Sequence, residues 1–108
     1  MSDGVVHDAL GELLGVDKLI HEPARLSILA LLRVVKRADF VFLQSQTGLT
    51  AGNISSHLGK LAGAGYVEVE KGFLNNRPRT LVKLSAVGRV ALRRYLQTMG
   101  AVLQALDG

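Results

Sequence analysis

The side chains best suited to chemistry fall in two short groups. Thr50, Gly52, Asn53, Ser55, Ser56, His57 and Lys60 form one, and Asn76, Arg77 and Arg79 form the other. Amides, hydroxyls and cationic heads of this kind donate hydrogen bonds and neutralise charge. Bond-breaking chemistry needs more than that. The serines have no paired histidine and acid, and the carboxylates nearest the basic region are Asp39, Glu68 and Glu70. No glycine-rich phosphate loop is present. No catalytic residue is expected, and the chain reads as a non-enzyme. Asn suits an adenine edge, Ser a base or phosphate, Lys guanine or phosphate, and Arg a phosphate or a narrow minor groove.

The first group belongs on a helix. At 100° per residue, Ile54, Leu58 and Leu61 fall within about 40° of one another and make an inward face. Gly52, Ser56 and Gly59 lie opposite, flanked by Asn53, Ser55 and Lys60, with His57 on the shoulder. No acid occurs from Leu49 to Val67. A merely solvated face gains nothing from two glycines and no glutamate, since both lower helix stability. A surface shaped for close approach explains them.

The neighbouring elements follow from capping and periodicity. Asp39 caps a helix over 40–47, with Phe40 and Leu43 inward, and Gly48 ends it in a left-handed turn. Leu49 plugs the turn. Thr50 caps the polar-faced helix, which runs to about residue 64, and Gly65 ends it. Residues 66–71 alternate as a strand, with Val67 and Val69 on one side. Residues 72–79 are expected to be a loop, with Asn75, Asn76 and Pro78 as turn formers, and 80–84 to be the return strand. Lys71, Arg77, Arg79 and Lys83 make that hairpin basic, with no acid between Lys71 and Lys83. Upstream, residues 3–14 form a helix with Val6, Leu10 and Leu13 in its stripe, widened by Val5, Ala9 and Leu14. Ser2 or Asp3 caps it and Gly15 ends it. A nearly all-round apolar helix spans 23–36, with Pro23 in its first turn.

Ser85 caps a last helix over 86–106. Leu92, Leu96, Met99, Leu103 and Leu106 repeat at four, three, four and three, the heptad seam of helices that pair side by side. With Leu10 and Leu13 of the first helix, they are the expected dimerisation residues. The expected fold is mainly α with a small β-hairpin wing, an α+β winged helix-turn-helix with flanking N- and C-terminal dimerisation helices. One domain is expected over residues 1–108. It divides into an N-terminal helix in 1–20, the core in 23–84 and the C-terminal helix in 85–106.

Charge distribution narrows the partner. The 108 residues carry a net +4, but residues 1–22 hold −4 and residues 23–108 hold +8. The cationic excess coincides with the helix-turn-helix, which indicates a polyanion. Cysteine is absent, which excludes disulfides and thiolate metal sites. His7, His21 and His57 lack ligand spacing, so no metal or cofactor is expected. No apolar run approaches the roughly 18 residues of a membrane span, and the acidic start is unlike a secretory signal. A cytoplasmic protein without membrane contact is expected.

The segment from Leu49 to Arg89 resembles the winged-helix regulators of the MarR and ArsR groups, in particular compact stand-alone domains of prokaryotes. The resemblance is carried by Ile54-Ser55-Ser56-His57-Leu58, Leu61, Gly65-Tyr66-Val67, Arg77-Pro78-Arg79-Thr80 and Leu84-Ser85-Ala86-Val87-Gly88-Arg89. It spans about residues 20–100. The resemblance implies a homodimer that binds double-stranded DNA at a pseudo-palindromic operator as a repressor. Ser55, Ser56, His57 and Lys60 would then meet groove or phosphate, and Arg77 and Arg79 would be wing contacts. It leaves room for a small-molecule effector whose identity no residue names. The alternative is a winged helix used as a protein-interaction module, which usually has an acidic or apolar recognition face.

Overall fold

The computed structural model describes residues 3–107; Ser2, an expected cap, lies outside them. The described residues form α1 (Asp3–Leu14), α2 (Pro23–Val34), β1 (Ala38–Asp39), α3 (Phe40–Thr47), α4 (Ala51–Gly63), β2 (Val67–Leu74), β3 (Arg77–Leu84) and α5 (Ala86–Asp107). The strands make one antiparallel sheet in the order β1-β3-β2. This is the expected winged helix α+β architecture. Among the described residues, no helix is long and apolar enough to cross a membrane.

The core is aliphatic. Ile28, Leu29 and Leu32 of α2, Leu43 of α3, Ile54, Leu58 and Leu61 of α4, and Val67, Val82 and Leu84 of the sheet are buried together. Ile20, in the connection before α2, is fully buried among them, although the sequence pattern did not mark it. The starts of α2, α3 and α4 are capped locally. Glu22 accepts from the backbone N–H groups of Ala24 and Arg25, Asp39 from Phe42, and Thr50 from Asn53. Gly48 ends α3 at φ 74°, a left-handed conformation that glycine adopts without a Cβ penalty.

Three expectations need correction. First, α2 stops at Val34, because Val35 turns extended to feed β1, where Ala38 pairs with Val82 and Asp39 with Leu81. A two-residue strand has no period to read. Second, 72–79 is not a loop. β2 and β3 stay paired out to Leu74 and Arg77, leaving a two-residue turn in which Asn75 and Asn76 have φ of 52° and 64°. That is the left-handed pair of a tight hairpin turn, which Asn tolerates well. Pro78 fits because β1 reaches only Leu81 and Val82, leaving that side of β3 an open edge.

Third, the heptad of α5 divides. Leu92, Tyr95 and Val102 are buried and Met99 is half-buried, while Leu96, Leu103 and Leu106 are exposed. Leu92 and Tyr95 are buried in the core of the single chain, with Met99 packed against it, and α1 packs along α5 and buries its own Ala9. Leu92 therefore offers no surface to a second copy. Leu13 is half-buried, and Leu10 is exposed.

One close approach fixes α5 to the rest. Ser85 Oγ donates to Gly65 O at 2.5 Å and accepts from the N–H of Gly88, while Ser85 N donates to Tyr66 O. A Cβ on Gly88 would stand 2.0 Å from Tyr66 O. Because that obstacle is backbone, Gly88→Ala is expected to destabilise the chain by at least about 1–3 kcal/mol. Thermal denaturation followed by circular dichroism measures it, and an unchanged midpoint would show that the junction yields.

Candidate nucleic-acid interface

The two-sided character of α4 is realised in the structure. Ile54, Leu58 and Leu61 are buried, whereas Gly52, Asn53, Ser55, Ser56, Gly59 and Lys60 are all exposed. Among the described residues, no side chain of Asn53, Ser55, Ser56 or Lys60 has a hydrogen-bond or ion-pair partner. These groups remain free to bond a ligand. Thr50 differs, because its hydroxyl already accepts from Asn53 N at 3.1 Å and serves as the helix cap.

His57 departs from its expected place. Its side chain is only 19% exposed, with Nδ1 3.9 Å from Glu22 Oε2 and 3.3 Å from Arg25 Nη1. The shoulder of α4 packs on the start of α2, so His57 and Arg25 face each other and not open solvent. Glu22 was not singled out in the sequence, yet it joins this cluster. The N–H of Arg25 chiefly holds its carboxyl below the ordinary value; burial opposes this, and the Ala24 N–H and the Arg25 guanidinium add to the lowering. A carboxyl residue just before Pro23 was the available signal.

The hairpin also sorts its charges. Register places Gly72, Leu74, Arg77, Arg79, Leu81 and Lys83 on one face with Glu68 and Glu70. Lys83 pairs with Glu68 directly opposite at 3.1 Å. Arg79 Nε lies 3.5 Å from Asp39 Oδ2, an ion-pair distance without hydrogen-bond geometry. Asp39 thus caps α3 and tethers the wing at once. That leaves Lys71 and Arg77 as the unpaired cations of the hairpin, with Asn76 exposed at the turn. Phe73 and Leu74 are exposed beside them.

A third cluster holds the end of α4 to the connection after α1. Asp17 accepts from the N–H of Leu19 at 2.9 Å and from that of Ile20, and from the Tyr66 hydroxyl. The bond to Asp17, with burial and the carboxylate charge adding, pushes the Tyr66 phenol up to about 12. Asp17 and Glu22 belong to the acidic N-terminal segment, and both serve as internal ties. Among the described residues, no group of three or more His, Asp or Glu is placed to hold a metal ion.

A helix with a small, polar, acid-free face beside a projecting hairpin is the geometry that a duplex groove accepts. The sequence profile described as a winged helix DNA-binding domain matches residues 24–103. The chain belongs to the winged helix DNA-binding domain family. A protein of Methanocaldococcus jannaschii is 37% identical over 79 residues, covering 73% of this chain and 86% of its own. The transcriptional regulator homologue from Pyrococcus horikoshii superposes with a TM-score of 0.84 at 32% identity, covering 94% of this chain and 99% of its own. A mutant MarR from E. coli complexed with operator DNA shares the fold with a TM-score of 0.68 at 21% identity, covering 95% and 70%. MarR and ArsR family regulators are thus structural neighbours of this winged helix. The family and fold are those of regulators and not of enzymes.

The glycines of α4 separate a contact face from a solvated one. A Cβ at Gly59 meets nothing within 4 Å, so Gly59→Ala should stabilise the helix by about 0.8–1.0 kcal/mol. The same methyl should obstruct close approach to a groove and weaken duplex binding. Paired melting and binding measurements check this; higher stability with unchanged binding would remove Gly59 from the interface.

Proposed function

We propose that this winged helix is a sequence-specific regulator of transcription that binds double-stranded DNA as a homodimer. The supporting observation is the unpartnered polar face of α4, composed of Asn53, Ser55, Ser56 and Lys60 and backed by a wholly apolar core face. Helix α4 enters the major groove, where Asn53 and the serines bond base edges and Lys60 bonds guanine or phosphate. The wing carries Arg77 and Lys71 to the adjacent backbone or minor groove, with Asn76 at its tip and Arg79 held against Asp39. The operator neighbour cited above supports the choice of partner.

Two features support a pair of copies. The described chain measures 61 × 25 × 21 Å with a radius of gyration of 16.4 Å. A compact domain of this length has about 13 Å. The α1–α5 pair carries exposed Leu10, Leu14, Leu96, Leu103 and Leu106. Joining two such surfaces removes apolar area from water and places two α4 helices to face successive major grooves of a pseudo-palindromic operator. A repressor that occludes a promoter in the cytoplasm is the simplest use of that arrangement. A small-molecule effector would enter the cleft lined by Asp17, Tyr66, Arg94, Tyr95 and Thr98, between α5 and the DNA-binding body.

Binding measured by fluorescence anisotropy across a salt series tests this reading. The affinity should fall linearly on a log–log plot, and Arg77→Ala should reduce the slope by about 0.9, the loss of one phosphate contact. Affinity that is flat with salt contradicts the proposal. Leu103→Glu should lower the mass seen by light scattering to that of one chain and weaken binding; an unchanged mass would remove α5 from the interface.

A further inference from the structure

The face of α4 that packs inward is entirely aliphatic. Such packing sets which face is buried and so fixes the helix's rotation coarsely, but a small residual turn about its own axis is left for directional contacts to set. Rotation matters for reading bases. A helix with its side chains is about 10–12 Å across, so a 20° turn moves groove-facing atoms by about 2 Å. Hydrogen bonds tolerate far less.

One directional contact bears on that rotation. Arg25 of α2 uses its guanidinium as a fork. Its Nε donates to Leu19 O at 2.6 Å, and its Nη1 lies 3.3 Å from His57 Nδ1 on α4. Its own N–H donates to Glu22 Oε2 at 2.8 Å. A guanidinium only donates, so in this hydrogen bond His57 Nδ1 is the acceptor. The far arm is anchored as well, because Asp17 fixes the N–H groups of Leu19 and Ile20. The Arg25 side chain is 12% exposed, poorly placed to meet phosphate. Three segments meet at this one group: the connection before α2, α2 itself, and the shoulder of α4.

We infer that Arg25 is a positioning residue for base readout, setting the rotation of α4 through His57 without touching DNA. This rests on the DNA-binding reading above. The decisive variant is Arg25→Lys. It keeps the charge, so a phosphate contact would survive, but an ammonium lacks the planar fork that spans Leu19 O and His57 Nδ1.

The experiment compares wild type, Arg25→Lys, His57→Ala and the double variant, each first shown by thermal denaturation to be folded. Affinity is measured for the best selected duplex and for a random duplex across a salt series. Arg25→Lys should reduce the ratio of the two affinities about tenfold, in the range of losing one base contact. The salt slope should stay at the wild-type value, and the double variant should lose little more than either single change. In the DNA-free protein, amide exchange over residues 55–60 should quicken in Arg25→Lys, with residues 42–47 unchanged. Wild-type discrimination by Arg25→Lys would overturn the inference, and so would a slope lowered by about 0.9 in a further variant, Arg25→Ala, which would make Arg25 a phosphate contact. Unchanged exchange in α4 overturns it equally. If wild type discriminates no duplex, the DNA-binding reading fails, and the exchange measurement decides the Arg25–His57 tie by itself.

Discussion

The approach of α5 to the backbone of Gly65 and Tyr66 is the constraint on which the remaining geometry depends. At that point the polar-faced helix ends, the wing begins, and the long helix departs. Ser85 bonds both carbonyls, Gly88 leaves room for one of them, and the Tyr66 ring reaches Asp17. Any displacement of α5 is therefore transmitted to the end of α4 and to β2 together. If two copies pair through α1 and α5 as proposed, this joint sets the spacing of their α4 helices.

The electrostatics are more economical than the sequence charge suggests. The cationic excess of residues 23–108 is partly consumed inside the molecule. Arg25 bonds Leu19 and His57, Arg79 leans on Asp39, and Lys83 pairs with Glu68. Exposed pairs such as Lys83–Glu68 contribute little stability, but they remove charge from the surface that a polyanion would meet. Lys60, Lys71 and Arg77 remain as the free cations of α4 and the hairpin. A surface with few charges and several small polar groups is suited to discriminating among duplex sequences more than to holding any duplex tightly.

Much of this was legible in the sequence because it rests on local rules. Capping by Asp39, Thr50 and Ser85, the left-handed Gly48 and the wheel of α4 are all short-range, and the structure keeps each of them. What stayed hidden depends on distant partners. Strand β1 exists only because Ala38 finds Val82. The hairpin extends to its turn because cross-strand pairing outweighs Gly72 and Pro78 as breakers. Leu92 turned inward because it joins the core of Ile20 and Ile28, which a heptad count on one helix does not reveal. His57 was placed on the shoulder of its helix as a groove or phosphate contact because a wheel shows no neighbouring helix. Glu22 and Asp17 were read only as charge, although each is a hydrogen-bond acceptor for specific backbone groups.

The central claim is that α4 reads bases from a symmetric pair of chains. The most direct test is selection of bound sequences from a random duplex pool with the purified protein. The account predicts enrichment of an inverted repeat whose half-sites are centred about 10–10.5 base pairs apart. Recovery of a pool no different from the input, or of a single unrepeated motif, would contradict it.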